Sequence, residues 1–403
     1  MLLAFFIPSR ACINYVQTMK RLDNIYLDHA AGTFLLPEVH ARLNEWVGSR
    51  TSNPSSIHAQ GRQAAADLNA AREAIASVIG GKPGEILFTS GGTEANNLGI
   101  IGAARALKDK GNHIITCQTE HPSALESCKQ LEQEGFRVSY LPCDTHGVID
   151  PLDLQQSIDS ETILVSLMWV NNETGLIHPM EQIGEIIKAK GVRLHVDAIQ
   201  AIGHLSLQVD SFPADSISFS GHKLGAPAGI GALYLKKGQP LQQLSFGGSQ
   251  ELNYRAGTQN QMGAQALGAA LQYWRTHADE HAQHYETLQD RLIHRLSDLP
   301  GIQINRGEGP YTPHILNCSF HNIDGEALFI RLDMKHIAVS NGSACSSGSQ
   351  APSHVLTAMG FDEKLAQASL RISLGIQTNQ NEIDGFCDEL ELIVHSLYKE
   401  PQS

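Results

Sequence analysis

One lysine directly follows a short apolar run that has the composition of a buried strand. The run "SISFSG" leads into His222 and Lys223, and a second apolar run, "IGALYL", begins at Ile230. Burial disfavours the charged form of an amine, and a neutral amine attacks an aldehyde to form a Schiff base. These residue types therefore indicate covalent capture of a carbonyl compound by Lys223. The alternative is a solvated loop lysine.

A carboxylate ends another apolar run. Asp197 closes "VRLHVD", and Gln200 follows three residues later. A carboxylate in this place can pair with a protonated pyridine nitrogen, which makes an aromatic ring a stronger electron sink. Asp197 could equally cap a helix, so the residue alone leaves both roles open.

Small residues join a strand to a helix in "ILFTSGGTEANN". Gly91, Gly92 and Thr93 stand at the junction, where glycines let backbone N–H groups approach an anion. The stretch therefore predicts a phosphate contact. It matches neither G-x-x-x-x-G-K-[ST] nor G-x-G-x-x-G, so a P-loop and a dinucleotide fingerprint are not supported. A plain turn with a threonine cap is the alternative.

Three further residues have sequence neighbours that favour a catalytic or binding role. His121 follows a strand and precedes Pro122, where an imidazole either exchanges protons with a cofactor or serves structure alone. Cys345 lies among glycine and serine in "SNGSACSSGSQ", unlike Cys318 in the apolar run "ILNCSF", which favours a reactive thiolate on a mobile loop. Arg371, in "ASLRISLG", predicts a carboxylate partner, which is either a substrate or a structural salt bridge.

A sheet covered by helices is predicted to position these residues. Between about residues 85 and 235, short β-rich runs alternate with helical patterns, which predicts an α/β fold with a mostly parallel seven-stranded sheet. Ligands of such sheets bind where strand ends meet helix starts. A helical pattern of roughly 35 residues follows, as one helix or two, and then shorter strands alternate with helices. We predict a large domain over residues 33–275, and a smaller α+β domain from residues 1–32 and 276–403 that carries the cysteine loop at about 340–352.

Charge and composition exclude several classes of protein. The 403 residues carry a formal charge of -13, whose field repels phosphate backbones and anionic membranes, so we expect neither as a partner. The seven cysteines contain no C-x-x-C pair, so we expect no zinc site and no disulfide framework, and a reducing cytoplasm fits best. The apolar residues 2–7 are too few to span a bilayer, and residues 1–18 are expected to be an appendage or to precede the true start at Met19.

Taken together, these motifs resemble the fold type I pyridoxal-phosphate enzymes of the class V aminotransferase family, and most closely the cysteine desulfurases of the NifS/IscS group. The resemblance runs from "IYLDHAAGT" to "SLG" at residue 375. The matching motifs are, in order, "TSGGTEANN", "EH", "VNNETG", "HVDAIQ", "SFSGHK", "GIGALY" and "GSACSSG". Each motif alone is weak, whereas the whole series in the family's order is specific.

The resemblance implies how the cofactor, pyridoxal 5′-phosphate, is held. Lys223 would bind it covalently, His121 would lie on its ring and shuttle protons, Asp197 would pair with the pyridine nitrogen, and Gln200 would meet the ring hydroxyl. The residues implied for the phosphate are Gly92, Thr93, Ser220 and His222. Thr258, in "RAGT", would reach the phosphate in the partner subunit, which implies a homodimer with shared sites.

The resemblance also implies a reaction on L-cysteine. Asn172 and Arg371 would hold the substrate carboxylate, and the thiolate of Cys345 would attack the substrate sulfur, which leaves L-alanine and a persulfide on Cys345. The sulfur would pass to an acceptor protein, either an iron–sulfur scaffold or a thiolation carrier. Three alternatives stay open: a selenocysteine lyase, another class V aminotransferase, and a non-catalytic paralogue in sulfur trafficking. The positions that depart from the usual pattern include His29, Gly32, Ala228, Leu252 and Asn341.

Overall fold

A seven-stranded sheet forms the centre of the protein. The computed structural model describes residues 24–47, 52–341 and 351–399. The strands of this part of the chain are β1 (Ile25–Tyr26), β2 (Ile86–Thr89), β3 (His113–Cys117), β4 (Arg137–Leu141), β5 (Thr162–Met168), β6 (Arg193–Asp197), β7 (Ser216–Ser220), β8 (Gly231–Leu235), β9 (Ile302–Ile304), β10 (Ile315–Phe320), β11 (Ile337–Ala338) and β12 (Ser369–Ser373). The large sheet has the order β2-β8-β7-β6-β5-β3-β4. Only β8 runs against its neighbours, so the predicted mostly parallel sheet is confirmed.

Helices connect and cover the strands. They are α1 (Pro37–Val47), α2 (Ala59–Ile79), α3 (Gly92–Asn97), α4 (Ala103–Ala106), α5 (Pro122–Gln133), α6 (Pro151–Ser157), α7 (Met180–Ala189), α8 (Gln261–Leu296), α9 (Gly325–Met334), α10 (His354–Ala358), α11 (Glu363–Gln367) and α12 (Gln380–Leu397). A π-helical turn, Leu98–Gly102, joins α3 to α4, and 3-10 turns occur at Pro83–Glu85, Lys108–Lys110, Gly221–Lys223 and Glu251–Asn253. Every residue of β3 and of β5 to β8 is buried, as expected for strands covered on both faces.

The described chain also forms two smaller sheets. In one, β10 pairs antiparallel with β9 and β12; in the other, β1 pairs parallel with β11. The helical pattern read as one helix or two is the single helix α8 of 36 residues. The predicted domain boundary at residue 275 falls inside α8, and the division into two domains stays a prediction. Within the described ranges, no helix has the length and apolar character needed to cross a membrane.

The direction of the strands decides where polar residues meet. Because β2, β3, β5, β6 and β7 all run the same way, their carboxyl ends lie along one edge of the sheet. The segments that follow these ends are the ones that carry most of the predicted site residues. This edge is therefore the expected position of a ligand site.

Candidate active site

A cavity of about 490 Å³ lies at this edge of the sheet. The residues that line it are Ala30, Ala31, Gly92, Thr93, His121, Pro122, Met168, Val170, Asn172, Glu173, Asp197, Ile199, Gln200, Ser220, His222, Lys223, Ala351, Pro352, His354 and Arg371. All the predicted site residues are among them except Thr258, which lies elsewhere, and Cys345, which lies outside the described residues.

Lys223 ends the 3-10 turn that follows β7 and is half-buried. Its Nζ donates to the carbonyl oxygens of Ala30, at 2.5 Å, and Ala31, at 2.7 Å. Gln200, which is buried, donates from Nε2 to the same oxygen of Ala30 at 2.9 Å. The amine is therefore held at the cavity wall by backbone oxygens of the segment after β1.

Asp197 lies at the carboxyl end of β6, with 4% of its surface exposed. Its Oδ1 accepts from the backbone N–H of Ile199 at 3.0 Å, and its Oδ2 accepts from Nδ2 of Asn96 at 2.6 Å. A turn rather than a helix follows, so the alternative that Asp197 caps a helix is not what the structure contains. Two donors fix the carboxylate at the cavity.

Asn96 was not predicted, although "TSGGTEANN" includes it. It is fully buried, and its Nδ2 donates both to Asp197 and to Oγ of Ser123 at 2.9 Å, while its Oδ1 lies 3.2 Å from Nε2 of His195. The signal in the sequence is its spacing: residues four apart share a helix face, so Asn96 points the same way as Gly92.

His121 caps the start of α5. Its Nδ1 accepts from the backbone N–H of Ser123 at 3.1 Å and lies 2.8 Å from the Ser123 hydroxyl. Because Nδ1 is an acceptor, the neutral ring carries its proton on Nε2. Burial is the main cause that lowers the pKa of His121. The charge of Asp197 raises this pKa, whereas the charges of Lys223 and His354 lower it further. The neutral imidazole is thus both a helix cap and part of the cavity wall.

The residues predicted to meet a phosphate form one corner of the cavity. Gly92 lies against the sheet, where an added Cβ would come 2.2 Å from Cδ1 of Ile199 and 3.3 Å from Cβ of Ser220. Ser220 is buried, with Oγ 3.0 Å from Nδ1 of His222, and Thr93 is exposed. Burial, together with the charge of Lys223 nearby, lowers the pKa of His222 to about 4, so its ring is neutral near pH 7.

Arg371 lies on β12 and has 3% of its surface exposed. Its Nη2 donates to Oδ1 of Asp28 at 2.7 Å, and its Nη1 donates to the carbonyl oxygen of Asn172 at 3.0 Å. Nε is buried and has no hydrogen-bond partner in the part of the chain that the structure describes. The sequence left a salt bridge and a substrate contact as alternatives. The salt bridge is present, and the side chain also lines the cavity.

Two more side chains at the cavity were not predicted. Glu173 is buried, and its Oε2 accepts from the hydroxyl of Ser353 at 2.5 Å. His354 places Nε2 2.8 Å from the carbonyl oxygen of Glu120. The sequence gives little signal for either contact, because the partners are 180 and 234 residues apart along the chain.

Thr258 lies apart from the other predicted residues. It is exposed and lines a second cavity of about 330 Å³ together with Trp46, Ser52 and Asn53. A role in the site of its own subunit is therefore not supported by its position. The implied homodimer stays a prediction.

The sequence and the structure are both similar to those of known proteins. The family model of the class V aminotransferases matches residues 25–386. The cysteine desulfurase IscS of Dictyoglomus turgidum is 42% identical over 383 residues, which cover 94% of this chain and 96% of that protein. The solved structure of a NifS-like protein has a TM-score of 0.87 at 35% identity, over 93% of this chain and 100% of its own. The structure of SspA in complex with cysteine has a TM-score of 0.76 at 34% identity, over 87% of this chain and 98% of its own.

Proposed function

We propose, from the premise that this chain belongs to the class V aminotransferase family, that it is a cysteine desulfurase. The reaction converts L-cysteine to L-alanine, needs pyridoxal 5′-phosphate, and leaves a persulfide on Cys345. The observation that carries the proposal is the meeting of Lys223, Asp197 and His121 in one cavity, because the chemistry needs an amine, a carboxylate and an imidazole around one ring.

The cavity fits the cofactor. The absence of a Cβ at Gly92 keeps a corner of the cavity open, since a methyl group there would overlap Ile199. Asp197, held by two donors, suits a pyridine nitrogen, and Lys223 would hold the aldehyde carbon. The phosphate would be held by Thr93, Ser220 and His222, and the ring hydroxyl by Gln200. When bound, the cofactor withdraws electrons from the substrate and stabilises a carbanion.

The chain's own residues orient the substrate. Arg371 is a buried cation with an unpartnered Nε among the described residues, and it attracts the substrate carboxylate at the wall where Asn172 lies. The two carbonyl oxygens that accept from Lys223 keep its amine at the cavity wall, beside Ala30 and Ala31. His121 offers its Nε2–H as a donor, since Ser123 occupies Nδ1.

Cys345 is the proposed nucleophile. Its thiolate forms an S–S bond with the substrate sulfur while the Cβ–S bond breaks, and the carbon keeps the electron pair and gains a proton to become the methyl group of alanine. Ala351, which lines the cavity, is six residues away along the chain, and six residues span at most about 20 Å. The length of the chain therefore allows the thiol to reach the cavity. The sulfur then passes to an acceptor protein, which is an iron–sulfur scaffold or a thiolation carrier.

We also propose a homodimer in which Thr258 meets the phosphate in the partner's site. Thr258 is exposed and outside the cavity of its own chain. The large apolar side chains of Phe246 and Leu252, on the same stretch of chain, are exposed as well. Exposed apolar side chains beside a functional residue favour a protein contact.

The compartment we propose is the reducing cytoplasm, because the five described cysteines are all free thiols.

Two variants test the reaction. Cys345→Ala should keep the yellow absorbance of the bound cofactor and lose alanine formation from cysteine. The matched control is Cys143→Ala, which should keep full activity because burial raises the pKa of the Cys143 thiol to about 11 and leaves it unreactive. Normal turnover by the Cys345 variant would contradict the assignment. A keto acid as the product would instead indicate transamination.

The attachment of the cofactor is tested separately. Borohydride reduction of the holoenzyme, followed by peptide mapping, should find the pyridoxyl label at Lys223. A label on any other lysine, or no label after the cofactor has been added, would contradict the proposed site.

A further inference from the structure

A buried hydrogen bond joins two distant segments of the chain at the edge of the cavity. Glu173 follows β5, and Ser353 precedes α10. The hydroxyl of Ser353 donates to Oε2 of Glu173 and also accepts from the backbone N–H of Leu356 at 3.1 Å. Ser353 therefore caps α10 with one side of its hydroxyl and is held by Glu173 with the other.

The next residue is held by a second contact. His354 bonds through Nε2 to the carbonyl oxygen of Glu120, in the loop after β3. Two adjacent residues at the start of α10 are thus attached to two different strand ends of the large sheet. The two contacts fix the chain directly after Ala351 and Pro352, which line the cavity.

The carboxyl group of Glu173 also lies in the field of Arg371. Its pKa is about 7, because burial raises it more than the Ser353 hydrogen bond and the charge of Arg371 lower it. The charged groups on the elements around it are Arg371 of β12 and Asp28, which pairs with Arg371. His354, the titratable group of α10, has its pKa lowered, mainly by burial, so its ring is neutral near pH 7.

We propose that Glu173 is a positioning residue for the desulfuration: its side chain holds Ser353 at the cavity, and its charge opposes the attraction of Arg371 for the substrate carboxylate. This inference rests on the proposed function for its kinetic part only. When Glu173 is neutral, Arg371 attracts a carboxylate fully; when it is ionised, the attraction is weaker. The KM for cysteine should therefore rise as the pH passes through the neutral range.

Hydrogen exchange tests the structural part without any assay of activity. Glu173→Ala and Ser353→Ala should each speed the exchange of the amide of Leu356 by about tenfold or more, because the hydroxyl cap is misplaced or lost. Glu173→Gln should leave it unchanged, since its amide oxygen still accepts from Ser353. The matched control is Asp362→Ala, which removes the cap of α11 and should not affect Leu356.

Kinetics of the holoenzyme test the functional part. Glu173→Ala should lower kcat/KM by about tenfold, which is the range for losing a buried hydrogen bond to a carboxyl group. Glu173→Gln should keep kcat within about twofold, and its KM should rise less than the KM of the native enzyme between about pH 6 and about pH 8. The ionisations of cysteine itself are common to both enzymes, so the difference between the two profiles isolates Glu173.

The outcomes separate this inference from the proposed function. Unchanged exchange at Leu356 in Glu173→Ala would overturn the anchor, and equal kinetic losses in the Ala and Gln variants would overturn the positioning role. Native and Gln profiles that rise together would overturn the electrostatic effect. If the exchange results hold but no form of the protein makes alanine, the anchor stands and the desulfurase proposal fails.

Discussion

Replacing Asn96 by alanine should damage both the fold and the site, because one side chain holds three others. Asn96 is fully buried in α3, at the carboxyl edge of the sheet. It donates to Asp197 and to Ser123, and it lies within hydrogen-bond distance of His195. Asn96→Ala leaves a buried carboxylate oxygen, a hydroxyl and an imidazole nitrogen without this partner.

The size of the effect follows from these contacts. A hydrogen bond to a charged group contributes about 1.5 to 3 kcal/mol, and each neutral one about 1 kcal/mol. We therefore expect Asn96→Ala to lower the free energy of unfolding by about 3 to 5 kcal/mol, which is a large part of the 5 to 15 kcal/mol that is typical of a folded protein. Among the residues that the structure describes, Asp197 would keep only the backbone N–H of Ile199 as a donor, so cofactor affinity should fall by about tenfold or more.

Urea unfolding of the apoprotein and cofactor titration by absorbance measure the two effects separately. The matched control is Asn97→Ala, on the same helix, whose side-chain Nδ2 donates to the carbonyl oxygen of Thr93 one turn back. It should change the stability by at most about 1 kcal/mol, because one neutral hydrogen bond is lost. A loss of less than about 1 kcal/mol in Asn96→Ala, with unaltered cofactor affinity, would refute the reasoning.

Three further outcomes are expected. Burial lowers the pKa of His178 from its ordinary 6.5 to about 4, so the stability contributed by the neutral ring is complete above pH 6.5 and is lost as the pH falls toward 4. The free energy of unfolding, measured with urea, should fall accordingly, by about 2 to 3 kcal/mol for this ring at about pH 4.5, and a free energy that stays constant would contradict the burial argument. Gly92→Ala should weaken cofactor binding by about tenfold or more. The control is Gly84→Ala, whose added Cβ meets nothing within 4 Å and which should bind the cofactor normally. Equal cofactor affinities of the two variants would rule out the cavity corner at Gly92 as the position of the phosphate. Co-expressed Lys223→Ala and Thr258→Ala chains should regain activity that neither variant has alone, because one mixed site is intact if Thr258 serves its partner. No recovery would contradict the shared site.

The fold could be predicted from the sequence because its signals are local. Each strand of the large sheet is a short apolar run between turn residues, and this pattern survives without knowledge of its partners. The gathering of Asp197, Ser220 and His121 in one cavity follows from the same pattern, since parallel strands bring their carboxyl ends together. The position of the site is a consequence of strand direction.

The contacts that hold the site residues in place could not be predicted in the same way. Arg371 meets Asp28 across 343 residues of sequence, and the pairing depends on the segment after β1 lying beside β12, where Asp28 pairs with Ser373. The bond between Glu173 and Ser353 likewise depends on the start of α10 lying beside the segments that follow β3 and β5. Periodicity identifies the elements, but the register and packing between distant elements decide which polar groups meet.

The unusual residues of "IYLDHAAGT" illustrate why a departure from a family pattern can leave a site intact. The segment meets Lys223 and Gln200 through the carbonyl oxygens of Ala30 and Ala31, which any residue type supplies. His29 is buried, and its ring lies where a Cβ on Gly375 would come within 2.1 Å, so the imidazole and the glycine depend on each other. Burial lowers the pKa of His29 to about 4, so the ring adds no charge next to the amine near pH 7. The side chain of residue 29 takes no part in the backbone contacts that hold Lys223. A family member can therefore have a different neutral residue at this position without moving Lys223.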